Sequence, residues 1–293
     1  MELVRWESKP RLRRPVLIAA FEGWSDAGEA ASGAVAFLAQ QLEARPFARI
    51  DPEEFYDFTE TRPMVRLIDG VTRTIDWPEP TFSAAPLPGT DRDVVLLAAS
   101  EPALKWRTFT ETVFGVVREL GVETLLALGA LLSEVPHTRP VRVIGTSADP
   151  EIIARLNLQR SRYEGPTGIL GVLSHAAGQA GLEAASLWAS VPHYLPRAPS
   201  PKASLALVER ASEVLGASIP TVELEIASAA YERQVSEAVA EEEDVAEYVR
   251  RLEEDEDDEE FETDAPEIRP EDLPSGEELA ADVERFLRDQ NEP

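Results

Sequence analysis

The chain has 293 residues, of which 55 are acidic and 28 basic, for a net charge of -27. Residues 201–293 hold 30 of the acids and 8 of the bases, so most of the negative charge lies in the last third. Such a chain repels nucleic-acid phosphates and anionic lipid head groups, which argues against direct binding of nucleic acid or of a membrane surface. Cysteine is absent, which excludes disulfides, Cys-ligated zinc and thiol catalysis.

The distribution of apolar residues indicates a globular protein. Hydrophobic residues make up 43% of the chain, enough for a core. No apolar run approaches the roughly 18–20 residues that a membrane-spanning helix needs. The N-terminus, MELVRWESKPRLRRP, is followed by no secretory cleavage pattern. We therefore expect a cytoplasmic protein.

Short apolar, β-branched runs closed by turn residues predict strands over 15–21, 64–69, 71–77, 93–99, 123–130, 141–147 and 184–191. Between them, helical periodicity predicts helices over 25–42, 105–120, 150–156 and 169–180. This alternation predicts an α/β fold, a three-layer α/β/α sandwich with a mixed, mostly parallel sheet. The strand pair around Gly70 predicts a hairpin or two adjacent strands and is the source of the mixed character.

The predicted α/β/α core covers residues 1–200 and ends at a proline-rich stretch. A helical extension follows over 201–252, with one helix over 204–215 and a single long helix over 221–252. The long helix has a heptad-like apolar stripe, which fits either a short coiled coil or a helix packed on the core.

Beyond the helical extension, residues 253–274 predict an acidic disordered linker, because a block so rich in like charges cannot collapse. An amphipathic terminal helix over 275–290 comes next. Its apolar face is a candidate partner-binding surface formed by Leu279, Val283, Phe286 and Leu287.

The segment FEGWSDAG (21–28) is the most informative local motif, because it leads from a strand through a turn into a helix. A helix N-terminus here is a generic anion site, and Gly23 permits the tight turn. Trp24, Ser25 and Asp26 complete the candidate, while the other interpretation is plain turn geometry with Asp26 as a helix cap. The segment also nearly matches a nucleophile elbow, in which Ser25 would act with His137 or His193 as base and Asp149 as the orienting residue.

Three further segments lie where predicted strands end or helices begin, so we include them in one candidate strand-end cleft. VPHTRP contains His137 and Arg139, and VPHYLP contains His193 and Tyr194. In both, a rigid Pro-His turn is the competing interpretation. YEGPTGILG contributes Thr167, as the predicted helix cap, and Gly168. No His and carboxylate spacing suggests a metal, and we expect neither metal nor cofactor.

Several of these segments taken together resemble one family. They are FEGWSDAGEAA, EPALKWRTF, LGALLSEVPHTRPVRVIGTS, YEGPTGILGVL and SLWASVPHYLPRAPSPKA. In this order, over residues 1 to about 250, they resemble the proteasome assembly chaperone 2 family in its actinobacterial form. The resemblance implies a core similar to nucleoside-phosphorylase-like folds, a helical extension, homo-oligomers of three or more copies, and proteasome subunits as partners. The chain ends in RDQNEP, without the hydrophobic-Tyr-X tail by which some relatives dock, so we do not expect docking by that route.

Two functional hypotheses follow. The first is a non-enzymatic protein-binding or assembly-chaperone-like protein linked to proteasome assembly and acting as a homo-oligomer. Its anchors would be aromatic residues such as Trp24, Trp188, Tyr194 and Phe286. The alternative is a small-molecule or nucleotide-binding enzyme, hydrolase-like or ligase-like, that uses the strand-end loops of the core.

Overall fold

The computed structural model describes residues 3–196 and 198–261, with side chains described through residue 254. One compact unit ends at Leu252. The predicted terminal helix over 275–290, with Leu279, Val283, Phe286 and Leu287, lies outside the described residues, as does residue 262 onward of the predicted linker.

An eight-stranded sheet and a separate two-stranded hairpin organise the chain. The strands are β1 (Val4–Trp6), β2 (Val16–Glu22), β3 (Arg45–Ile50), β4 (Met64–Ile68), β5 (Thr72–Asp76), β6 (Thr81–Pro86), β7 (Asp93–Ser100), β8 (Thr124–Ser133), β9 (Val143–Thr146) and β10 (Glu183–Pro192). The large sheet has the order β1-β3-β6-β7-β2-β8-β10-β9. Its four central strands, β7, β2, β8 and β10, are parallel, and the outer pairs on both sides are antiparallel.

The mixed sheet is thus confirmed, but its antiparallel part is not the one predicted from residues 64–77. Those residues do form an antiparallel hairpin, with Val65 opposite Ile75, yet it is a sheet of its own. The antiparallel strands of the large sheet are β1, β3, β6 and β9, and the first three of these were not predicted. RPFARI and TFSAAP contain proline and few β-branched residues, so their local strand signal is weak.

Among the described residues, seven α-helices accompany the sheet. They are α1 (Ala30–Gln41), α2 (Trp106–Leu120), α3 (Pro150–Leu156), α4 (Ile169–Gln179), α5 (Pro201–Leu215), α6 (Val222–Ala240) and α7 (Glu243–Phe261). Helices α1 and α5 share one apolar cluster with alternate residues of the central strands, and α2 and α4 share another cluster with the remaining ones. In β2, for example, Ile18 belongs to the first cluster and Leu17 to the second. The helices therefore cover both faces of the sheet, which confirms the three-layer α/β/α sandwich.

Helix α5 belongs to the core rather than to its margin. Its buried residues Ala203, Leu207 and Val208 lie in the same apolar cluster as α1. The predicted core over 1–200 stops just before this helix, because the composition of the proline-rich stretch signals a boundary there. In the structure, the stretch leads into α5, which packs beside α1.

The predicted single helix over 221–252 is wrong, because the chain makes two helices there. Helix α6 ends at Ala240 and α7 begins at Glu243. The sequence at the break is EEED, where adjacent carboxylates repel each other and nothing in the heptad pattern marks a stop. Helix α7 then extends to Phe261, into the first part of the predicted acidic linker.

Candidate functional site

The carboxyl ends of the four parallel strands meet at one edge of the sheet, and most of the candidate residues follow those ends. Gly23 comes after β2 and Glu101 after β7, while His137 follows β8 and His193 follows β10. Because the strand order is β7-β2-β8-β10, the candidates fall into two neighbouring groups along this edge. We call them the Glu101 group (Gly23, Trp24, Ser25, Glu101 and Gly168) and the His137 group (His137, His193, Tyr194, Ser236 and Tyr248).

In the Glu101 group, the chain turns sharply after β2. Gly23 has a φ of +119°, a conformation that side-chain-bearing residues rarely adopt. A methyl group at Gly23 would also lie 3.3 Å from Cβ of Glu101. The turn is held to β8, the neighbouring strand in the sheet, because the backbone carbonyl of Ser25 accepts a 2.8 Å hydrogen bond from the amide of Ala130. The FEGWSDAG motif thus serves to make this tight, anchored turn.

Asp26 occupies the N-terminus of α1 from within the chain. Its Oδ1 accepts hydrogen bonds from the amides of Ala31, at 2.7 Å, and Ser32, at 3.1 Å, and its other oxygen accepts from the Ser32 hydroxyl. The side chain is buried, and this burial raises the pKa of Asp26 above its ordinary value, although the hydrogen bonds from Ser32 and Ala31 oppose the shift. The Asp26 carboxylate therefore satisfies amides in the first turn of α1, as the capping interpretation expects, although the residue at the N-cap position of this helix is Glu29.

Glu101 plays the same part at the N-terminus of α4. Its Oε1 accepts a 2.8 Å hydrogen bond from the amide of Ile169, the first residue of the helix. Gly168 makes room for this contact, since a methyl group there would lie 2.7 Å from that Oε1 and 2.8 Å from Oγ of Ser25. The predicted cap, Thr167, is wrong, because the N-cap residue is Gly168 and the capping carboxylate comes from another strand end.

Both helix N-termini that the sequence marks as anion sites thus already hold a carboxylate of the chain. A carboxylate at a helix N-terminus satisfies free amides and the positive end of the helix dipole. A phosphate or other anion would have to displace Asp26 or Glu101 to bind there. Trp24 stands beside Gly168 with 60% of its surface exposed, so an aromatic face rather than a charged pocket is presented to solvent.

The His137 group joins the sheet edge to the C-terminal helices. His137 is buried, with Nδ1 2.8 Å from the Tyr194 hydroxyl and Nε2 3.0 Å from Oγ of Ser236 on α6. Its amide donates to the same Tyr194 hydroxyl at 2.8 Å.

His193 extends the same network to α7. The ring of Tyr248 packs edge-on against both His193, at 5.5 Å between ring centroids, and Tyr194, at 6.2 Å. Both imidazoles thus contact the C-terminal helices, His137 through Ser236 of α6 and His193 through Tyr248 of α7.

Arg139 lies beside the His137 group, where it lines a small cavity together with His137, Ser200, Lys202 and Tyr231. The cavity offers about 10 Å³ to the centre of a water molecule, which is room for a single water. That volume is far below the several hundred Å³ of ordinary small-molecule sites. Lys202 is held by the backbone carbonyl of His137, at 2.7 Å, and by an ion pair with Glu232.

Glu101 is the site residue that sequence reasoning missed. The signal for it is an acidic residue directly after the buried strand β7. In the sheet, β7 lies next to β2, so Glu101 is beside the glycine turn that follows β2. That adjacency is visible only once strand order is known. Within residues 3–196 and 198–254, no cluster of three or more His, Cys, Asp or Glu side chains is arranged to hold a metal ion. No helix in the same part of the chain is both long and apolar enough to cross a membrane.

The fold is that of an α/β/α protein in which the chain's own carboxylates occupy the helix N-termini at the carboxyl edge of the parallel strands. Helices α6 and α7 pack against the same edge. A model of the PAC2 family matches residues 20–239, and the chain belongs to that family. None of the curated proteins matches the chain.

Solved structures agree with this membership. A PAC2 family protein from Streptomyces avermitilis is 45% identical, with a TM-score of 0.75 over 80% of this chain and 99% of that one. A proteasome-assembly chaperone homologue from Mycobacterium tuberculosis is 46% identical, with a TM-score of 0.73 over the same shares. An archaeal proteasome activator from Pyrococcus furiosus, at 17% identity, has a TM-score of 0.68 over 81% of this chain and 99% of that one, a likeness that shows the fold alone.

Proposed function

We propose that this chain is a non-enzymatic assembly chaperone that binds proteasome subunits, acts in the cytoplasm and works as a homo-oligomer. The observation that carries the proposal is its 46% identity, over 80% of its length, to a protein described as a proteasome-assembly chaperone homologue. The five sequence segments on which the family resemblance rests all lie within residues 20–239, which the family model matches.

The arrangement of the strand ends supports protein binding over catalysis. Asp26 and Glu101 fill the two helix N-termini that a substrate anion would use. The cavity beside His137 holds about one water, and the imidazoles are engaged in fastening helices. Groups that an enzyme would direct at a substrate are here directed at the chain itself.

The surface offers what a protein partner recognises. Trp24, Leu104 and Tyr163 are more than half exposed around the Glu101 group, and interfaces depend on a few such aromatic and apolar anchors. The acidic last third adds long-range attraction for a basic partner surface and so raises the rate of encounter.

The test uses the full chain and its cognate proteasome α- and β-subunits, purified separately. We expect the chain to bind isolated α-subunits in calorimetry and to change the rate at which α- and β-subunits form larger particles on native gels. No binding and no change in assembly rate would refute the proposal.

A thermal-shift screen of nucleotides and phosphorylated metabolites tests the enzyme alternative. A ligand at 100 times its Kd stabilises a protein by about 2.7 kcal/mol, which for a chain of this size raises Tm by roughly 5–10 °C. We expect no such shift. A reproducible shift that Glu101→Gln alters would instead favour small-molecule binding at the strand ends.

A further inference from the structure

The β4–β5 hairpin is unusually apolar for an exposed element. Among the described residues, fourteen large apolar side chains are exposed, and half of them lie within 64–77. These seven are Met64, Val65, Leu67, Ile68, Val71, Ile75 and Trp77. Exposed apolar groups concentrated in this way mark an interaction surface rather than ordinary scatter.

One face of the hairpin holds much of this apolar surface. Val65 lies directly opposite Ile75, and Leu67 is two residues further on, so the three side chains share a face. The opposite face bears the Arg66–Asp76 ion pair. At the base, Trp77 packs edge-on against Phe58 of the same segment, with 4.8 Å between ring centroids. Met64 and Ile68, which are also exposed, lie on the face of the ion pair, so the arm presents apolar side chains on both faces.

The hairpin arises from the same edge of the sheet as the Glu101 group. Arg49 near the end of β3 pairs with Thr81 at the start of β6, and Thr81 pairs with Ala98 near the end of β7. The segment 51–80 therefore leaves and re-enters the sheet at its carboxyl edge. Around that edge stand the exposed side chains Trp24, Leu104 and Tyr163, which we call the edge patch.

The hairpin alone is too small to form a stable interface. Five residues per strand at about 3.4 Å and two strands about 4.8 Å apart give a face of roughly 170 Å². A stable interface takes about 800 Å² from each partner. An isolated two-stranded hairpin is also only marginally stable in water. Its partner must therefore cover the hairpin and contact further apolar surface.

We propose that this partner is a second copy of the chain, with the hairpin of one copy packed against the edge patch of the other. This inference rests on the self-association included in the proposed function and names the surfaces that produce it. Residues 64–77 carry two arginines and two aspartates, so this surface is neutral in a chain of net charge -27. Two copies meet here without the repulsion that their acidic regions would cause. Each copy presents both halves of the contact at one edge.

The experiment measures the mass of the full chain by light scattering over a range of concentrations. Wild type should exceed its monomer mass of 32.2 kDa. Leu67→Lys and Trp24→Ala should each associate at least about tenfold more weakly, as expected for loss of a central apolar contact. Val65→Thr/Ile75→Thr keeps the strand preference of the hairpin and should give the same result. Ile226→Lys is the matched control, because Ile226 lies in the first turns of α6, away from the carboxyl edge of the sheet. Just before this helix, the amide of Ser218 donates to the carbonyl of Pro88 at the opposite edge.

Mixing the two single variants separates this contact from any other. Leu67→Lys retains an intact edge patch and Trp24→Ala an intact hairpin, so the mixture should recover association that neither shows alone. Circular dichroism and thermal melting check that each variant is folded. The inference is overturned if wild type is monomeric throughout, if Leu67→Lys keeps the wild-type mass, or if the mixture fails to associate. Should Leu67→Lys keep that mass but lose binding to proteasome α-subunits, this inference fails while the proposed function stands.

Discussion

Removing the Glu101 carboxylate is the sharpest perturbation of the strand-end arrangement. Glu101→Ala leaves the amide of Ile169, now held at 2.8 Å by Oε1, without its partner at the start of α4. Loss of a capping group costs about 1 kcal/mol, with a range of roughly 0.5–2. The missing charge at the positive end of the helix dipole adds about 0.3–1 kcal/mol. We therefore expect a loss of about 1–2 kcal/mol in the free energy of unfolding.

Urea denaturation measures this loss, and in thermal melts it corresponds to roughly 2–8 °C for a chain of this size. Glu101→Gln should lose about half as much, because its side-chain oxygen still accepts from Ile169. The control is Glu111→Ala, which removes an exposed glutamate from the surface of α2.

The same variant tests whether Glu101 closes an anion site. With the carboxylate gone, inorganic phosphate should raise the Tm of Glu101→Ala more than that of wild type, since the α4 amides are then open to an anion. Equal stability of wild type and Glu101→Ala, or equal responses of both to phosphate, would refute the reasoning.

Three further predictions concern the elements around this edge. Gly28→Ala should destabilise the protein by about 2–4 kcal/mol in urea denaturation. Gly28 has a φ of +58°, and a methyl group there would lie 3.1–3.2 Å from three heavy atoms. Gly178→Ala, in open space on α4, should instead stabilise the protein by about 0.5–1 kcal/mol. The pKa of Asp26 is raised in the folded state, so the stability that its protonated form contributes is fully present below the ordinary pKa of 3.8 and is lost as pH rises through the higher folded-state value. The free energy of unfolding of wild type minus that of Asp26→Asn should therefore fall over that pH range and then stay level. His137→Ala should lower stability by about 2–4 kcal/mol and expose α6 to limited proteolysis, whereas Ser236→Ala should cost about 1 kcal/mol.

Closure of helix N-termini by the chain's own carboxylates bears on how this fold is used. Parallel α/β sheets commonly bind ligands outside the carboxyl ends of their strands. Here that position holds Asp26, Glu101 and the fastening network of His137, while exposed apolar side chains surround it. The same edge is therefore suited to contact proteins, which agrees with the proposed function.

Elements with a strong local signal were predictable from the sequence. Helix α2 has apolar residues at helical spacing and ends at Leu120, the last residue of the predicted helix, because Gly121 adopts a φ of +66°. The cap at Asp26 was also predictable, because its partners Ala31 and Ser32 lie five and six residues along the chain. The strand pair around Gly70 was recognised as a hairpin, but its separation from the main sheet was not.

The sequence by itself determined the buried central strands, the helices that cover them, the family resemblance and the placement of negative charge in the last third, because these follow from local periodicity and composition. Only the tertiary structure decided which groups meet at the strand ends. Glu101 reaches Ile169 across 68 residues, and His137 reaches Ser236 across 99. Such contacts depend on strand order and helix packing, which bring distant residues together for reasons that no short stretch of sequence records.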